Sequence, residues 1–295
     1  TSAPGEPPSR GTRAGAFRGI CLQLHNSDPS IPYEKYIREI ARTGANTLGL
    51  VVPARQENCS STYIAIDLRV VPPDDRVLSL IRLAHKLDLR VVLTPIVLLE
   101  NPRAGEWRGR IKPSDWNDWW EDYASFLLRY ARLAERGGVE MFLVGSELVS
   151  TENQEDRWRD LVARVRKAYS GRLSYSANWD HYRPVKWWDA LDVVGMTTYH
   201  DLTGGEEPTL NRLLASWKRI RAEILAWRAG VNRPILFTEV GWPNMDTCAQ
   251  YPWNYVRDGE PDPKAQANCF EAFFRTWADE PHVAGFLVWE WRSWP

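Results

Sequence analysis

The sequence lacks the features that mark several common classes of protein. No apolar run reaches the roughly 18 residues that a membrane-spanning helix needs. The net charge is -1 with both signs interspersed, so there is no strongly basic stretch to attract nucleic acid or an anionic membrane. A phosphate-cradling glycine loop is also absent. We therefore expect no nucleic-acid partner, no membrane partner and no cofactor.

Cysteine is scarce, and its spacing excludes the usual zinc modules. The four cysteines are Cys21, Cys59, Cys248 and Cys269. None forms a C-x-x-C pair, which disfavours a structural zinc site. Cys59 and Cys248 both fall in predicted loops after strands, where a disulfide and two free thiols are both open alternatives.

Tryptophan, by contrast, is abundant, with 16 residues in the chain. This is more than a core of this size needs. Flat aromatic faces pack well against the C–H groups of sugars. The composition therefore indicates that part of the tryptophan complement serves a carbohydrate site.

Short apolar runs alternate with longer helical patterns along the chain. The eight predicted strands are 17–24, 45–52, 89–97, 139–146, 172–178, 191–199, 234–240 and 283–291. Each is rich in aliphatic or aromatic residues, as parallel strands buried on both faces are. Eight such repeats predict an α/β fold of the (β/α)8 TIM-barrel type. An open doubly wound sheet is the alternative, but it lacks its usual glycine-rich loop here.

The predicted barrel has one irregular end and one irregular connection. Residues 1–15, rich in Pro, Gly and Ser, are expected to form a flexible leader, and residues 16–295 a single catalytic domain. The chain stops four residues after the last strand, so the eighth outer helix is expected to be missing. The segment between the fifth and sixth strands is short and predicts only a turn or two of helix.

Two glutamates end strands that face each other across the predicted barrel. Glu147 follows the fourth strand and Glu239 ends the seventh. In this fold the C-terminal ends of the strands carry the catalytic groups. Two carboxyl groups flanking a glycosidic bond are what its hydrolysis requires, one to donate a proton and one to act at the anomeric carbon. Glu290 alternates with Trp289 and Trp291, so its side chain is expected to point away from this mouth.

Other chemistries find little support at the strand ends. No lysine ends a strand, which disfavours a Schiff-base mechanism. The histidines His25, His181 and His200 are scattered, without metal-ligand spacing, and no metal site is expected. The "GSE" at residues 145–147 lacks the flanking pattern of a serine nucleophile elbow.

Several stretches together resemble a known family. They are "IRLAHKLDLRVVLTP", "EWRGRIKPSDWNDWW", "FLVGSEL", "LSYSANWD", "LDVVGMTTYH", "FTEVGWP", and "QANCFEAFFRTW" followed by "VWEW". The glutamates at strands four and seven resemble clan A of the retaining glycoside hydrolases. The stretches as a set are similar to glycoside hydrolase family 113, whose members include endo-β-1,4-mannanases.

The resemblance implies a role for each matching residue. Glu147 would be the acid/base and Glu239 the nucleophile of a two-step, retaining mechanism. The implied substrate-binding residues are Asn178, Trp179, Tyr199 and Trp289, and Trp242 and His25 complete the predicted set. Tyr199 would lie near the nucleophile carboxylate and Trp289 beneath the reacting sugar.

The function expected from these observations is cleavage of a β-linked polysaccharide or oligosaccharide, and β-mannan is the first candidate substrate. Hydrolysis of another β-glycan is the alternative within the same chemistry. A barrel that binds glycans without cutting them is the alternative from another class, although a pure binder has no need of paired acids. We expect a monomer. The chain begins at Thr1 without an initiator methionine, consistent with signal-peptide removal or with trimming, and a secreted or extracytoplasmic location is expected.

Overall fold

A closed barrel of eight parallel strands forms the centre of the molecule. It was obtained as a computed structural model, which describes residues 15–256 and 259–291. The strands are Phe17–Gln23 (β1), Thr47–Gln56 (β2), Arg90–Leu99 (β3), Met141–Ser146 (β4), Arg172–Ala177 (β5), Val194–Thr197 (β6), Ile235–Val240 (β7) and Val283–Trp291 (β8). Each strand pairs with the next in the chain, and β8 closes on β1. The predicted (β/α)8 barrel is confirmed.

Helices surround the barrel between most pairs of strands. The α-helices of the described residues are Tyr33–Arg42 (α1), Asp74–Lys86 (α2), Trp116–Gly137 (α3), Glu155–Ala168 (α4), Leu210–Val231 (α5) and Pro263–Trp277 (α6). As the short segment predicted, β5 and β6 are joined by only one 3-10 helix, Trp188–Ala190. The described residues end with β8, and no outer helix follows β8 within them. The predicted leader lies, up to residue 14, outside the described residues.

The long helix α3 shows how local sequence sets the helix ends. Asp115 caps its start, and its carboxylate accepts hydrogen bonds from the backbone N–H groups of Asn117 and Asp118. Gly138 ends it with a φ of 69°, a left-handed conformation that glycine adopts without steric cost.

Two hydrophobic layers lie on either side of the strands. Inside the barrel, Cys21, Val51, Met141, Leu236 and Leu287 belong to one buried cluster. Outside, a larger cluster packs the strands against the helices. Many of the tryptophans belong to this outer layer, namely Trp119, Trp120, Trp158, Trp187, Trp188, Trp217, Trp242 and Trp277. The tryptophan count alone therefore overstated the aromatic surface available to a sugar.

The four cysteines are free thiols, so of the two open alternatives for Cys59 and Cys248 the structure shows the unbridged one. Cys59 lies after β2, where its thiol contacts the carbonyl of Trp107. Cys248, after β7, instead forms a thiol–thiol hydrogen bond with Cys269 of α6. A shared position in loops after strands did not bring Cys59 and Cys248 together, because those loops sit on different sectors of the barrel.

Candidate active site

The two strand-end glutamates lie buried at the C-terminal mouth of the barrel. Glu147 is 7% exposed and Glu239 is 6% exposed. Their strands are separated by β5 and β6 in the closed sheet, so the two side chains converge from opposite walls. The negative charge of Glu147 acts on the Glu239 carboxyl group, and the cation of Arg108 acts on both. The structure thus brings the two predicted catalytic residues into one site.

Glu147 is held in an unusual backbone conformation. Its φ is 52°, in the left-handed region that non-glycine residues seldom occupy. The backbone N–H of Glu147 donates to the carbonyl of Ser176 on β5, which fixes the residue at this turn. Backbone strain of this kind costs about 1–3 kcal/mol and concentrates at functional sites. The conformation supports a role for Glu147 beyond packing.

Polar side chains fix both oxygens of the Glu147 carboxylate. The Arg108 guanidinium donates from Nη2 to Oε2 at 2.6 Å. The Thr197 hydroxyl donates to Oε1 at 3.3 Å and accepts a hydrogen bond from the backbone N–H of Trp179 at 3.0 Å. Elements from β3, β5 and β6 therefore converge on this one carboxylate.

Glu239 is fixed from the neighbouring strand β6. Tyr199 donates its hydroxyl proton to Oε2 at 2.8 Å, and Thr198 donates its hydroxyl proton to the Glu239 carbonyl at 2.9 Å. Burial, and next the charge of Glu147, raise the pKa of Glu239 to about 8, although Arg108 acts in the opposite direction. At neutral pH the raised pKa therefore favours the neutral form of Glu239 in the ligand-free site.

Tyr199 and His200, two further titratable side chains of the mouth, are neutral near pH 7. Burial, and next the charge of Glu239, raise the pKa of Tyr199 well above its usual value, so its hydroxyl remains a donor. Burial lowers the pKa of His200 to about 4. The His200 ring lies between Trp179 and Trp217, at centroid distances of 5.0 and 5.6 Å. His200 is thus an uncharged ring that supports Trp179.

Strand β8 contributes both an aromatic ring and a further acid. Trp289 is partly buried and packs against the cluster inside the barrel. The Trp289–Glu290 peptide bond is cis. Glu290 accepts a hydrogen bond of 2.6 Å from the side chain of Gln23 on β1, and its charge acts on Glu239. The expectation that Glu290 points away from the mouth is wrong, because the β1–β8 register shifts at this level and simple alternation fails.

A ledge of aromatic rings extends from the mouth on the side of β5. Trp179 stacks on Trp253, with ring centroids 6.0 Å apart and an angle of 18° between the planes. Trp253 is 45% exposed, and Tyr251 packs edge-on against it at 5.8 Å. Asn178, the neighbour of Trp179, donates its side-chain amide to Asp180 at 2.6 Å. Trp179 and Asn178 thus lie at the end of β5, as predicted, and the ledge adds Trp253.

Two further predicted substrate-binding residues, Trp242 and His25, lie in different surroundings. Trp242 is 3% exposed, and its ring packs against Phe270 and Phe273 of α6 at 5.1 and 6.1 Å. This is a core position on the outer side of the barrel, so the predicted substrate contact of Trp242 is not supported by its packing. His25 lies half-buried beyond the end of β1, where burial lowers its pKa. Its predicted sugar contact stays a prediction.

Arg108, Thr197 and Trp253 are residues of the site that the sequence did not single out, and Glu290 was expected to point away from it. Arg108 lies nine positions after the end of β3, so a search of strand ends passes over it. Its position within "EWRGRIK", between a tryptophan and glycine, was the available signal. Trp253 lies even further from the end of its strand, 13 positions after β7, in a long loop. In the described part of the chain, no group of three or more His, Cys, Asp or Glu side chains is placed to hold a metal ion, and no helix is long and apolar enough to cross a membrane.

Comparisons with known proteins agree with this geometry. Residues 32–294 match the model of Glycoside Hydrolase Family 113. A family 113 β-mannanase from Alicyclobacillus acidocaldarius, in complex with ManMIm, has 29% sequence identity and a TM-score of 0.85, and the alignment covers 96% of this chain and 90% of that chain. A complex of a family 113 β-1,4-mannanase has 29% identity and a TM-score of 0.81, covering 95% of this chain and 90% of that one.

More distant structures share the fold alone. A β-glucuronidase from Ruminococcus gnavus, in complex with D-glucaro-δ-lactam, has 14% identity and a TM-score of 0.63. The alignment covers 94% of this chain and 43% of that one. No curated protein sequence matches the chain significantly.

Proposed function

The chain belongs to glycoside hydrolase family 113 and is a glycoside hydrolase, and from this premise we propose that it cleaves β-1,4-linked mannan with retention of configuration. The buried pair of Glu147 and Glu239 at one barrel mouth is the observation that carries the proposal. The mannan assignment is supported by the two similar family 113 structures, which are described as β-mannanases. A monomeric, extracytoplasmic enzyme is part of the same proposal.

In the first step, Glu239 is the nucleophile. Its carboxylate attacks the anomeric carbon while Glu147 donates a proton to the departing glycosidic oxygen. The C–O bond to the leaving sugar breaks, and a covalent glycosyl-enzyme forms on Glu239. The Tyr199 hydroxyl, 2.8 Å from Glu239 Oε2, fixes the orientation of the attacking carboxylate. The proton that Glu239 favours at neutral pH in the ligand-free site can serve as the proton that Glu147 must deliver.

In the second step, Glu147 acts as the general base. It takes a proton from water, whose oxygen attacks the anomeric carbon and releases the sugar from Glu239. The electron pair of the broken ester bond returns to the Glu239 carboxylate, and Glu147 is again protonated. Two displacements at the same carbon give overall retention.

The surface around the site suits a hydroxyl-rich chain longer than one sugar. The Trp179–Trp253 ledge offers a partly exposed aromatic face beside Glu147. A cleft of about 700 Å³, lined mostly by polar and charged side chains, lies near the ends of β2 and β3. It is lined by Arg55 at the end of β2 and by residues of the loops after β2 and β3, among them Tyr63, Asp67, Arg69 and Glu100. Neither Glu147 nor Glu239 lines this cleft. If it binds substrate, it binds sugars of the chain that lie far from the cleaved bond.

A substrate panel tests the proposal directly. The purified protein would be incubated with β-mannan, glucomannan, xylan and β-glucan, and the products separated by chromatography. We expect oligosaccharides from β-mannan and glucomannan. If products form only from xylan or β-glucan, the protein is still a glycosidase, but its assignment to mannan is overturned. Binding to all four without products would favour a glycan-binding barrel.

A further inference from the structure

Arg108 forms a buried ion pair with Glu147 that the strand-end pattern did not predict. Nη2 of Arg108 lies 2.6 Å from Oε2 of Glu147, and their side chains are 19% and 9% exposed. The Arg108 Nε is also buried and has no hydrogen-bond partner within the described residues. Removing two charged groups from water costs free energy. A buried ion pair at the barrel mouth therefore suggests a functional role.

The loop that carries Arg108 is built to hold it in place. Arg108 begins the 3-10 helix Arg108–Arg110, and the Trp107 ring covers Gly109 so closely that a Cβ there would lie 2.2 Å from it. The carbonyl of Ile111 accepts a hydrogen bond of 2.6 Å from the Ser150 hydroxyl. Ser150 belongs to the 3-10 helix Val149–Thr151, just after Glu147. The arginine and its carboxylate partner are thus tied together through two neighbouring segments.

The same loop is anchored on its other side by the segment after β2. The backbone N–H of Lys112 donates to the carbonyl of Cys59 at 2.7 Å, and the Glu106 carboxylate accepts from the backbone N–H groups of Cys59 and Arg103 at 3.3 and 2.9 Å. Arg108 is therefore positioned before any substrate arrives. Such preorganisation is typical of groups that act on charge during a reaction.

Several charged or titratable groups surround the ion pair. They are Tyr175 on β5, Tyr199 after β6, Glu239 on β7, and Glu152 after the 3-10 helix that follows β4. Within the described residues, Arg108 is the cation of this set. Its guanidinium contacts Glu147 directly and favours a negative charge there, as the hydrogen bond from the Thr197 hydroxyl also does.

We propose that Arg108 is a positioning residue that keeps Glu147 ionised and oriented as the general base of the second step. The inference rests on the proposed two-step mechanism. In the glycosyl-enzyme, Glu239 is a neutral ester and Glu147 must be a carboxylate to accept a proton from water. Arg108 stabilises that charge until the proton arrives. Once the water proton is on Glu147, the ion pair is lost and the acid needed for the next first step is regenerated.

The ligand-free charges match those of this intermediate. Burial raises the pKa of Glu239, which favours its neutral form, while Glu147 pairs with Arg108. A Glu239 that favours its neutral form beside the Arg108–Glu147 ion pair is also the arrangement that the covalent intermediate requires. Substrate binding must then transfer the proton from Glu239 to Glu147 before the first step.

An activated glycoside separates the two steps. With 2,4-dinitrophenyl β-mannobioside, the leaving group needs no proton, so the second step limits turnover and dinitrophenol appears in a burst. We expect Arg108→Met to keep the burst rate within a few fold but to lower the steady-state rate about tenfold or more. The acidic limb of the kcat profile should move upward by about one pH unit or more, because an adjacent guanidinium favours an ionised carboxylate by at least that much.

Two further variants serve as controls. Arg108→Lys keeps the positive charge and should return the pH limb towards its wild-type position. Arg110→Met removes a cation of the same 3-10 helix, which is exposed and donates to the carbonyl of Gly105, and it should leave both rates unchanged. Thermal melting of each variant reports whether the loop still folds.

The possible results distinguish the two claims. Equal losses of burst and steady-state rates, or an unmoved pH limb in a folded Arg108→Met protein, would overturn the Arg108 role and leave the proposed function intact. If Arg108→Met does not fold, Arg108→Lys decides by the same two readings. If the wild-type protein releases no dinitrophenol, the proposed function is contradicted, and the proposed role of Arg108 falls with it.

Discussion

The hydroxyl of Tyr199 donates a hydrogen bond of 2.8 Å to Oε2 of Glu239. Tyr199 follows β6 and Glu239 lies within β7, so the contact joins the ends of two adjacent strands. Both residues are at most 9% exposed. A hydrogen bond to an ionised carboxylate in so dry a place favours the charged form and fixes its orientation. The contact therefore belongs to the reactive state of Glu239.

Removal of the Tyr199 hydroxyl should slow the reaction without unfolding the barrel. A hydrogen bond to a charged group contributes about 1.5–3 kcal/mol, so we expect Tyr199→Phe to lower kcat/KM by about 10- to 100-fold. Initial rates on mannan oligosaccharides measure the loss. Tyr36→Phe, on the outer helix α1, is the matched control. Wild-type kcat/KM in Tyr199→Phe would show that the contact has no part in catalysis.

The raised pKa of Glu239 should make the stability of the folded protein fall as pH rises. Its folded pKa is about 8 against an ordinary value of 4.5. Between these values the folded protein binds more protons than the unfolded chain, so the free energy of unfolding decreases through this window. The contribution of Glu239 to stability is fully present below about pH 4.5 and is lost as the pH rises through about 8.

Glu239→Gln should remove this dependence. Because glutamine has no proton to lose, the variant should be more stable than wild type at pH 8.5 by a few kcal/mol, which is about the size of the pKa shift in energy. At pH 4.5 the two proteins should differ little. Urea unfolding at both pH values gives the comparison, with Glu121→Gln, whose side chain is 70% exposed, as the control. An identical difference at both pH values would mean that Glu239 has no raised pKa.

Azide should distinguish the roles of the two glutamates. Glu239→Ala should lose nearly all turnover, and azide attacking an activated β-mannobioside from the vacated face should give an α-glycosyl azide. Glu147→Ala should lose about 10²–10⁴-fold on substrates that need a proton. There Glu239 still forms the intermediate, and azide in place of water should give a β-glycosyl azide. Proton NMR identifies the products, and a reversed pattern would exchange the two assignments.

Trp289 and Trp242 form a contrasting pair for mutation. Trp289 is partly buried at the mouth, so Trp289→Ala should weaken turnover by loss of stacking while the far-ultraviolet circular dichroism stays unchanged. Trp242 is buried against α6, and Trp242→Ala should cost about 3–5 kcal/mol of stability. Activity and chemical unfolding are measured for both. If Trp289→Ala unfolds while Trp242→Ala stays folded but is inactive, the two roles are reversed: Trp289 would be the core residue and Trp242 the residue of the site.

The barrel and its two glutamates were predictable because both follow from short-range patterns. Eight buried strands leave eight apolar runs in the chain, and the ends of parallel strands meet at one mouth. Glu147 and Glu239 each directly follow or end such a run, and Tyr199 and Trp179 lie within two residues of one. Their convergence needs only the order of the strands.

The remaining parts of the site depend on loop paths and on irregular register. Arg108 reaches Glu147 because its loop is anchored by Cys59 and Ser150, contacts that no periodicity encodes. Glu290 turns towards Gln23 where the β1–β8 register shifts, so the two-residue alternation of a strand fails there. For Trp242, proximity to Glu239 in sequence was misleading, because the chain turns outward towards α6 after β7.

The stereochemistry of the product tests the proposed mechanism as a whole. Side chains that converge from opposite walls of a filled barrel mouth should hold the two carboxyl groups roughly 5–5.5 Å apart, too close to seat a water between Glu239 and the sugar. Glu239 must then bond to the anomeric carbon itself, and Glu147 serves both the departing oxygen and the incoming water. Proton NMR of the first product of mannan cleavage should therefore show the β-anomer before mutarotation. An initial α-anomer, or a carboxyl separation of roughly 6.5–9.5 Å in a substrate complex, would mean direct attack by water and inversion. In that case Glu239 would be a general base, and its azide product would no longer be expected.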